Sequence, residues 1–339
     1  MGIRVLRPGM LTTVQDMGRT GYQSQGFSVA GVMDVRSFKL ANMLVDNPEN
    51  EPVLEMTLMG PTLEFTSDTI IAITGGDFNP IIERKVGGKE PAPMYTAIYM
   101  HKGDVISFGS AASGARGYIA FSSFLKIPVV MGSRSTYLKC GVGGFKGRKL
   151  EKGDFLLFYR KRHYLPFFLS HKMKPESFES DLVTLRVVLG PQDDHFTKNG
   201  IETFLNSEYT VTSDFDRMGC RLEGPYIASK KTNIISDGIA FGSIQVPANG
   251  KPIILASDRQ TTGGYPKIAT VISADMPLLA QSRTDTKIRF KAVTVQQAQK
   301  IFLEEENKLI HLREVFHKPC KEVLEIRMAA KRIKTLFER

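Results

Sequence analysis

At 339 residues with a net charge of +10, the chain is long enough for two hydrophobic cores and suits an anionic partner, such as a nucleotide, a carboxylate or an acidic protein surface. Its basic residues are scattered, with runs only at 160–162 and 331–334 and no interleaved aromatics, which argues against a nucleic-acid track. Three distant cysteines, Cys140, Cys220 and Cys320, exclude a disulfide scaffold and a sequence-evident metal site; no run approaches the roughly 20 apolar residues of a membrane span, so a cytoplasmic protein is expected.

In chain order, one amino-terminal helix is predicted, capped by Asp34, with Phe38, Ala41, Leu44 and Val45 on a shared face and Asp46-Asn47-Pro48 as its stop. Short apolar or alternating runs at 61–65, 69–74, 82–86, 104–108, 117–121 and 154–159 read as strands between glycine turns. The stretch 160–181 loses this period and marks a boundary. Strands resume at 183–189, 210–211, 253–256, 268–273 and 287–290. Many short strands at even spacing predict a mainly β protein of barrel or sandwich type, with one β lobe over 1–180, a second over 181–291 and a helical tail over 292–339.

The tail opens with a capping box, Thr294 and Gln297, followed by Ala298, Ile301, Phe302, Leu309, Leu312 and Val315 at helical spacing; Pro319 ends that helix. A second stripe follows, Val323, Ile326, Ala330, Ile333 and Phe337. Such stripes pack on their own protein or on a second copy, so the tail is assigned to assembly, with a homo-oligomer through these helices as one outcome.

The densest polar chemistry lies after strand 253–256, where Ser257, Asp258, Arg259, Gln260, Thr261 and Thr262 follow in a row and Gly263, Gly264, Tyr265 and Pro266 turn the chain into the next strand. The six are read as exposed loop residues. Other constellations are Gln15, Asp16 and Arg19 among glycines; Arg134, Ser135 and Thr136 ahead of the glycine-rich 141–148; Asp216 beside Arg217 as a charge pair; and His195 beside Asp193 and Asp194. The 141–148 stretch lacks the order of a Walker loop, and no serine or cysteine sits in a nucleophile elbow.

TTVQDMGRTGYQSQG, GVMDVRSFKLANMLV with LEMTLMGPTLEF, GSRST with GGFKGR, GPQDDHF, SDFDRMGCRLEGP and IQVPANGKPIILASDRQTTGGYPKIATVISAD resemble, in order, the signatures of the KipI-antagonist (KipA) family. That family is similar to the C-subunit of bacterial 5-oxoprolinase and to the carboxyltransferase-related segment of urea carboxylase. The resemblance runs from about Ile3 to Phe290. It departs at Ala120-Phe121-Ser122-Ser123-Phe124 and at Tyr95, where the family commonly has a glycine pair and a tryptophan.

The resemblance implies cyclophilin-like β-barrel lobes and a complex with a KipI-type and a lamB-type subunit that cleaves 5-oxoproline to L-glutamate with ATP. Catalytic positions expected for that chemistry are Asp258, Arg259, Gln260, Gln245 and Arg217; substrate-binding positions are Arg134, Ser135, Asn249, Thr261, Thr262 and Tyr265. Arginines suit a carboxylate or phosphate, and amides a carbonyl or oxyanion. The same groups suit carboxyl transfer to urea or a related amide, with biotin carried on another chain. A third alternative is a regulatory protein that binds and antagonises a KipI-type kinase inhibitor.

Overall fold

The computed structural model describes residues 1–160, 162 and 164–319. Its N-terminal half forms two antiparallel sheets. One runs Phe124–Leu125, Phe155–Arg160, Gly2–Arg7, Thr62–Phe65, Val105–Ser107, Ile81–Glu83 and Lys89–Pro91; the other runs Leu11–Gln15, Val53–Thr57, Ser113–Phe121, Thr69–Asp77 and Ile98–Met100. Ile3, Val5, Leu63, Phe65, Ile71, Ile73 and Phe121 fill the space between them. Strand Thr69–Asp77 is buried on both faces, because Ile70 and Ala72 point the other way and meet Phe38, Ala41 and Leu44 of the helix Val35–Leu44. This double burial explains why its sequence is an unbroken apolar run. The helix begins as expected, with Asp34 accepting from the Ser37 amide at 2.9 Å.

The second half closes a barrel in the order Leu182–Leu189, Lys267–Val271, Ser243–Gln245, Ile253–Leu255, Gly219–Glu223, Glu208–Phe215 and Lys287–Ala292. The first and last strands pair in parallel, Leu182 opposite Lys287 through Val187 opposite Ala292. Inside, Phe290 stacks on Phe204 at 4.4 Å and lies 5.7 Å from Tyr209. Phe204 comes from the helix Lys198–Asn206, which sequence periodicity did not reveal, nor did it reveal the short helix Met276–Gln281. Several strands were also missed, among them Gly2–Arg7, Val53–Thr57 and Gly219–Glu223, whose charged residues break up the apolar signal.

The tail helix spans Val295–Phe316 and starts with the expected capping box. It lies back on its own chain through Leu309 and Phe316, which join the cluster under the first helix, and through ion pairs Arg36–Glu305 (2.6 Å) and Lys39–Glu306 (2.9 Å). The expected stripe needs correction. Phe302 and Val315 are exposed, while Phe316 is buried, because the contact face follows 305, 309, 312 and 316 around the helix. The second stripe, 323–337, lies outside the described residues. Among those described, no helix is long and apolar enough to cross a membrane.

Phe290→Ala empties the centre of the barrel's aromatic stack and is expected to destabilise the chain by about 3–5 kcal/mol, read from the midpoint of urea unfolding. A loss below about 1 kcal/mol would mean that the stack is not a core element.

Candidate functional site

The strand Ile253–Leu255 does deliver a polar loop, but the first part of that loop is buried, not exposed as its composition suggested. Asp258 is 4% exposed and Arg259 6%. The loop is wedged between the barrel and the N-terminal sheets. Ser257 Oγ donates to the Val32 carbonyl (2.9 Å), Ala30 N to the Ser257 carbonyl (3.1 Å), and Ser28 Oγ to the Arg259 carbonyl (2.5 Å).

Asp258 accepts from both Nε (3.1 Å) and Nη2 (2.9 Å) of Arg217. Arg217 Nη1 donates to Glu55 of the five-stranded sheet, and Nη2 also reaches the Gly31 carbonyl at 2.6 Å. Glu55 in turn accepts from Tyr118 Oη (2.9 Å) and the Met33 amide (2.8 Å). Arg217 therefore pairs with Asp258 and Glu55 and not with Asp216, whose Oδ1 accepts from the Met218 and Gly219 amides of its own turn. Burial works against the Arg217 charge, and the two carboxylates outweigh it and raise its pKa. Beside this ion triad, Gln281 joins the halves again. Its Oε1 accepts from the Ala115 amide (3.0 Å) and its Nε2 donates to Asp34 (2.8 Å).

The remaining loop residues lie along the barrel mouth, the edge formed by strand Ser243–Gln245 and the ribbon that pairs 237–238 with 262–263. The Arg259 side chain turns away from Asp258 and donates to the Ile239 carbonyl (3.0 Å) and the Ala256 carbonyl (3.3 Å); no carboxylate among the described residues pairs with it, and burial lowers its pKa to about 10. Gln245 Nε2 donates to the Tyr265 carbonyl at 3.3 Å, and Gln260 Nε2 lies 3.5 Å from Gln245 Oε1. Gly263 lies close over this amide, and a Cβ there would stand 2.7 Å from Gln245 Nε2. Thr262 and Gly263 form a two-residue ribbon with Asp237–Gly238. Lys267, at the start of the next strand, is fully buried; its Nζ donates to Asp237 Oδ2 (2.6 Å) and the Gly238 carbonyl (2.9 Å). Gln192 Nε2 meets the same Asp237 oxygen at 3.2 Å.

A third cluster lies in the N-terminal half. Asp16 Oδ1 accepts from Ser133 Oγ and Ser135 Oγ (both 2.7 Å) and the Gly18 amide (2.8 Å), and Oδ2 from the Arg134 amide (2.6 Å). Ser135 thus ties a turn. The Arg134 side chain lies 3.5 Å from Glu51, a buried carboxyl whose other oxygen has no partner. Burial, with Asp16 nearby, pushes Glu51 up to about 7 against the pull of Arg134. Two glycines of 141–148 lie against backbone, while Gly144 faces the Thr136 side chain and Gly141 faces open space. A Cβ on Gly143 would stand 2.2 Å from the Ser135 carbonyl, and one on Gly147 1.9 Å from that of Gly141. The amides of Gly141, Val142, Gly144, Gly147 and Arg148 already donate to protein carbonyls and are not free to cradle a phosphate.

A profile of the carboxyltransferase domain, subdomain A and B, matches residues 25–292. The chain belongs to this family. Two proteins named as the C-subunit of 5-oxoprolinase are similar to it: that of Escherichia coli K12 is 36% identical over 311 residues, covering 88% of this chain and 93% of its own length. That of Haemophilus influenzae is 34% identical, covering 89% and 95%. Among solved structures, Kluyveromyces lactis urea carboxylase superposes with a TM-score of 0.84 at 27% identity over 95% of this chain, and the K. lactis urea amidolyase with 0.83 at 27% over 92%. The chain spans only 30% and 20% of those two larger proteins.

In this carboxyltransferase-type chain the expected site residues separate. Gln245, Gln260 and Tyr265 meet at the barrel mouth, and Arg259, Thr261 and Thr262 adjoin them through Ile239 and the ribbon; Asp258 and Arg217 face the seam between the halves; Arg134 and Ser135 belong to the Asp16 cluster. Asn249 accepts from the Lys251 amide in its own turn (3.1 Å). Lys267, Asp237 and Gln192 were missed, because a lysine opening a strand reads as solvent-facing until the ribbon is placed over it.

Two outcomes follow for stability. Arg217→Met leaves Glu55 and Asp258 buried without their cation and is expected to cost about 3–5 kcal/mol in denaturant unfolding, where an exposed loop position would cost next to nothing. Glu51 holds a proton in the folded chain that the unfolded chain releases between pH 4.5 and about 7. Its contribution therefore falls as pH rises through that window, by on the order of 2–3 kcal/mol. Glu51→Gln should flatten the fall of melting temperature across pH 4.5 to about 7; an unchanged slope would assign it to other groups.

Proposed function

We propose that the chain is one subunit of an ATP-dependent complex that opens the lactam ring of 5-oxoproline to give L-glutamate. The observation that carries this reading is the match to two 5-oxoprolinase C-subunits over 93% and 95% of their lengths. The barrel mouth supports it with groups of the right chemistry. Lactam hydrolysis breaks the ring C–N bond, adds a water oxygen to the carbonyl carbon and leaves the nitrogen as an amine. The carbonyl oxygen gains negative charge on the way, and the amides of Gln245 and Gln260 with the unpaired cation of Arg259 are suited to receive it. ATP supplies the activation of the amide when the complex is assembled. Most amides of the turn at 141–148 are spent on protein carbonyls, so no nucleotide contact is assigned to it. The remaining members of the complex are a KipI-type and a lamB-type protein.

A second reading is favoured by the family match and by the urea carboxylase superposition: carboxyl transfer to an amide from biotin borne on another chain. The same mouth would hold the amide. The two readings separate in one experiment. The chain alone is expected to show no 5-oxoproline-dependent ATP hydrolysis, and the complex with both partners is expected to release glutamate and phosphate. Turnover by the chain alone would overturn the multi-subunit reading. Bicarbonate-dependent carboxylation of urea by the complex with a biotinylated carrier, without glutamate release, would replace it with the second.

A further inference from the structure

A buried ammonium needs a counter-charge, and proteins normally bury that partner as well. Lys267 breaks this pattern. The residue is 1% exposed, whereas the Asp237 side chain that neutralises it is 54% exposed. Asp237 is carried on the ribbon Asp237–Gly238, and its Oδ2 takes both Lys267 Nζ (2.6 Å) and Gln192 Nε2 (3.2 Å). Gln192 is itself fixed, its Oε1 accepting from the Lys267 amide at 3.1 Å. An ammonium and a side-chain amide aimed at one carboxylate oxygen form a carboxylate-binding site, which here is filled from the protein's own surface.

The segment that brings Asp237 in is anchored at its ends and exposed in its middle, residues 235–238: Ile239 is buried and its carbonyl accepts from Arg259 Nε (3.0 Å), and the Gly238 carbonyl accepts from Lys267 Nζ (2.9 Å). Ile234 N donates to the Gly264 carbonyl (2.8 Å) and Ile239 N to the Thr261 carbonyl (3.0 Å), and between them Ile235 is 95% exposed. A Cβ at Gly238 would meet nothing within 4 Å, so there is open space beside the ribbon. Gln245, Gln260 and Arg259 border the same ribbon through Gly263, Thr261 and Ile239.

We propose that Asp237 is an internal stand-in for the substrate's carboxylate: residues 234–239 form a lid, and an incoming carboxylate displaces Asp237 from Lys267 and Gln192. This rests on the 5-oxoprolinase function proposed for the chain, in which the substrate is a lactam bearing a carboxylate. Because withdrawing Asp237 alone would strand a buried ammonium, the lid opens only as the replacing anion arrives, so recognition and opening are one event. Asp237 also weakens binding, since the ligand must compete with it.

The test uses calorimetric titration of the assembled complex with 5-oxoproline and with 2-pyrrolidinone, which lacks the carboxylate. Asp237→Asn is expected to tighten 5-oxoproline binding about tenfold and leave 2-pyrrolidinone unchanged, and Lys267→Met to weaken 5-oxoproline at least about tenfold in a chain whose circular dichroism is unaltered. Asp237→Asn that binds 5-oxoproline no tighter than the parent would overturn the proposal. If the complex has no affinity for 5-oxoproline at all, it is the functional reading that fails, and the stand-in is then judged by hydrogen exchange with acetate as probe. Faster exchange of the Ile234 and Ile239 amides with acetate, and none in Lys267→Met, upholds it; unchanged exchange overturns it.

Discussion

Arg217 is the constraint on which the arrangement of the molecule depends. Its guanidinium lies between a carboxylate from the barrel, Asp258, and one from the N-terminal sheet, Glu55. None of the three is exposed, so none has water as an alternative partner. A buried charge of this kind contributes little net stability compared with an apolar contact of the same shape, but it penalises any other relative placement of the two halves. The apolar contact beside it is small, Met33, Ala256 and Ala280 with Phe215. Polar groups therefore set the register at this junction, and hydrophobic packing is left to the two cores on either side.

That division runs through a single loop. Asp258 and Arg259 are neighbours in sequence with opposite duties: one is consumed by the seam, and the other lends its cation to the barrel mouth. Fixing Asp258 also fixes the backbone from which Arg259, Gln260 and Thr261 project, so the mouth inherits the rigidity of the seam. Arg259, with no carboxylate partner among the described residues, and Lys267, with an exposed one, are both buried cations whose compensation is incomplete or removable. Sites that bind anions need such cations.

Much of the sheet framework was legible from the chain, because strands such as Thr69–Asp77 and Ile253–Leu255 lie in cores on one or both faces and carry continuous apolar runs. The caps at Asp34 and Thr294 were legible too, since capping is local chemistry. What could not be read was pairing at long range. Arg217 sits next to Asp216 in sequence, yet its partners are 41 and 162 residues away. Composition marked the 257–262 loop as polar and therefore exposed; the burial of Ser257, Asp258 and Arg259 depends on a second half of the molecule that closes over them. The glycines at 141–148 illustrate the reverse case, a glycine-rich run in which close backbone packing accounts for Gly143 and Gly147 and the turn's own hydrogen bonds occupy most of its amides.

The packing of the tail helix bears on synthesis. Glu305 and Glu306 pair with Arg36 and Lys39, and Phe316 enters the cluster beneath a helix that begins at Val35. Likewise the barrel is sealed by Lys287–Ala292 lying against Leu182–Leu189. On the ribosome, where chains grow at about 5–20 residues per second, the first helix waits for roughly 270 further residues, more than about ten seconds, before its outer face is covered. Throughout that interval the nascent chain presents an apolar surface and an open barrel edge, so its early life calls for a chaperone or for a binding partner already at hand.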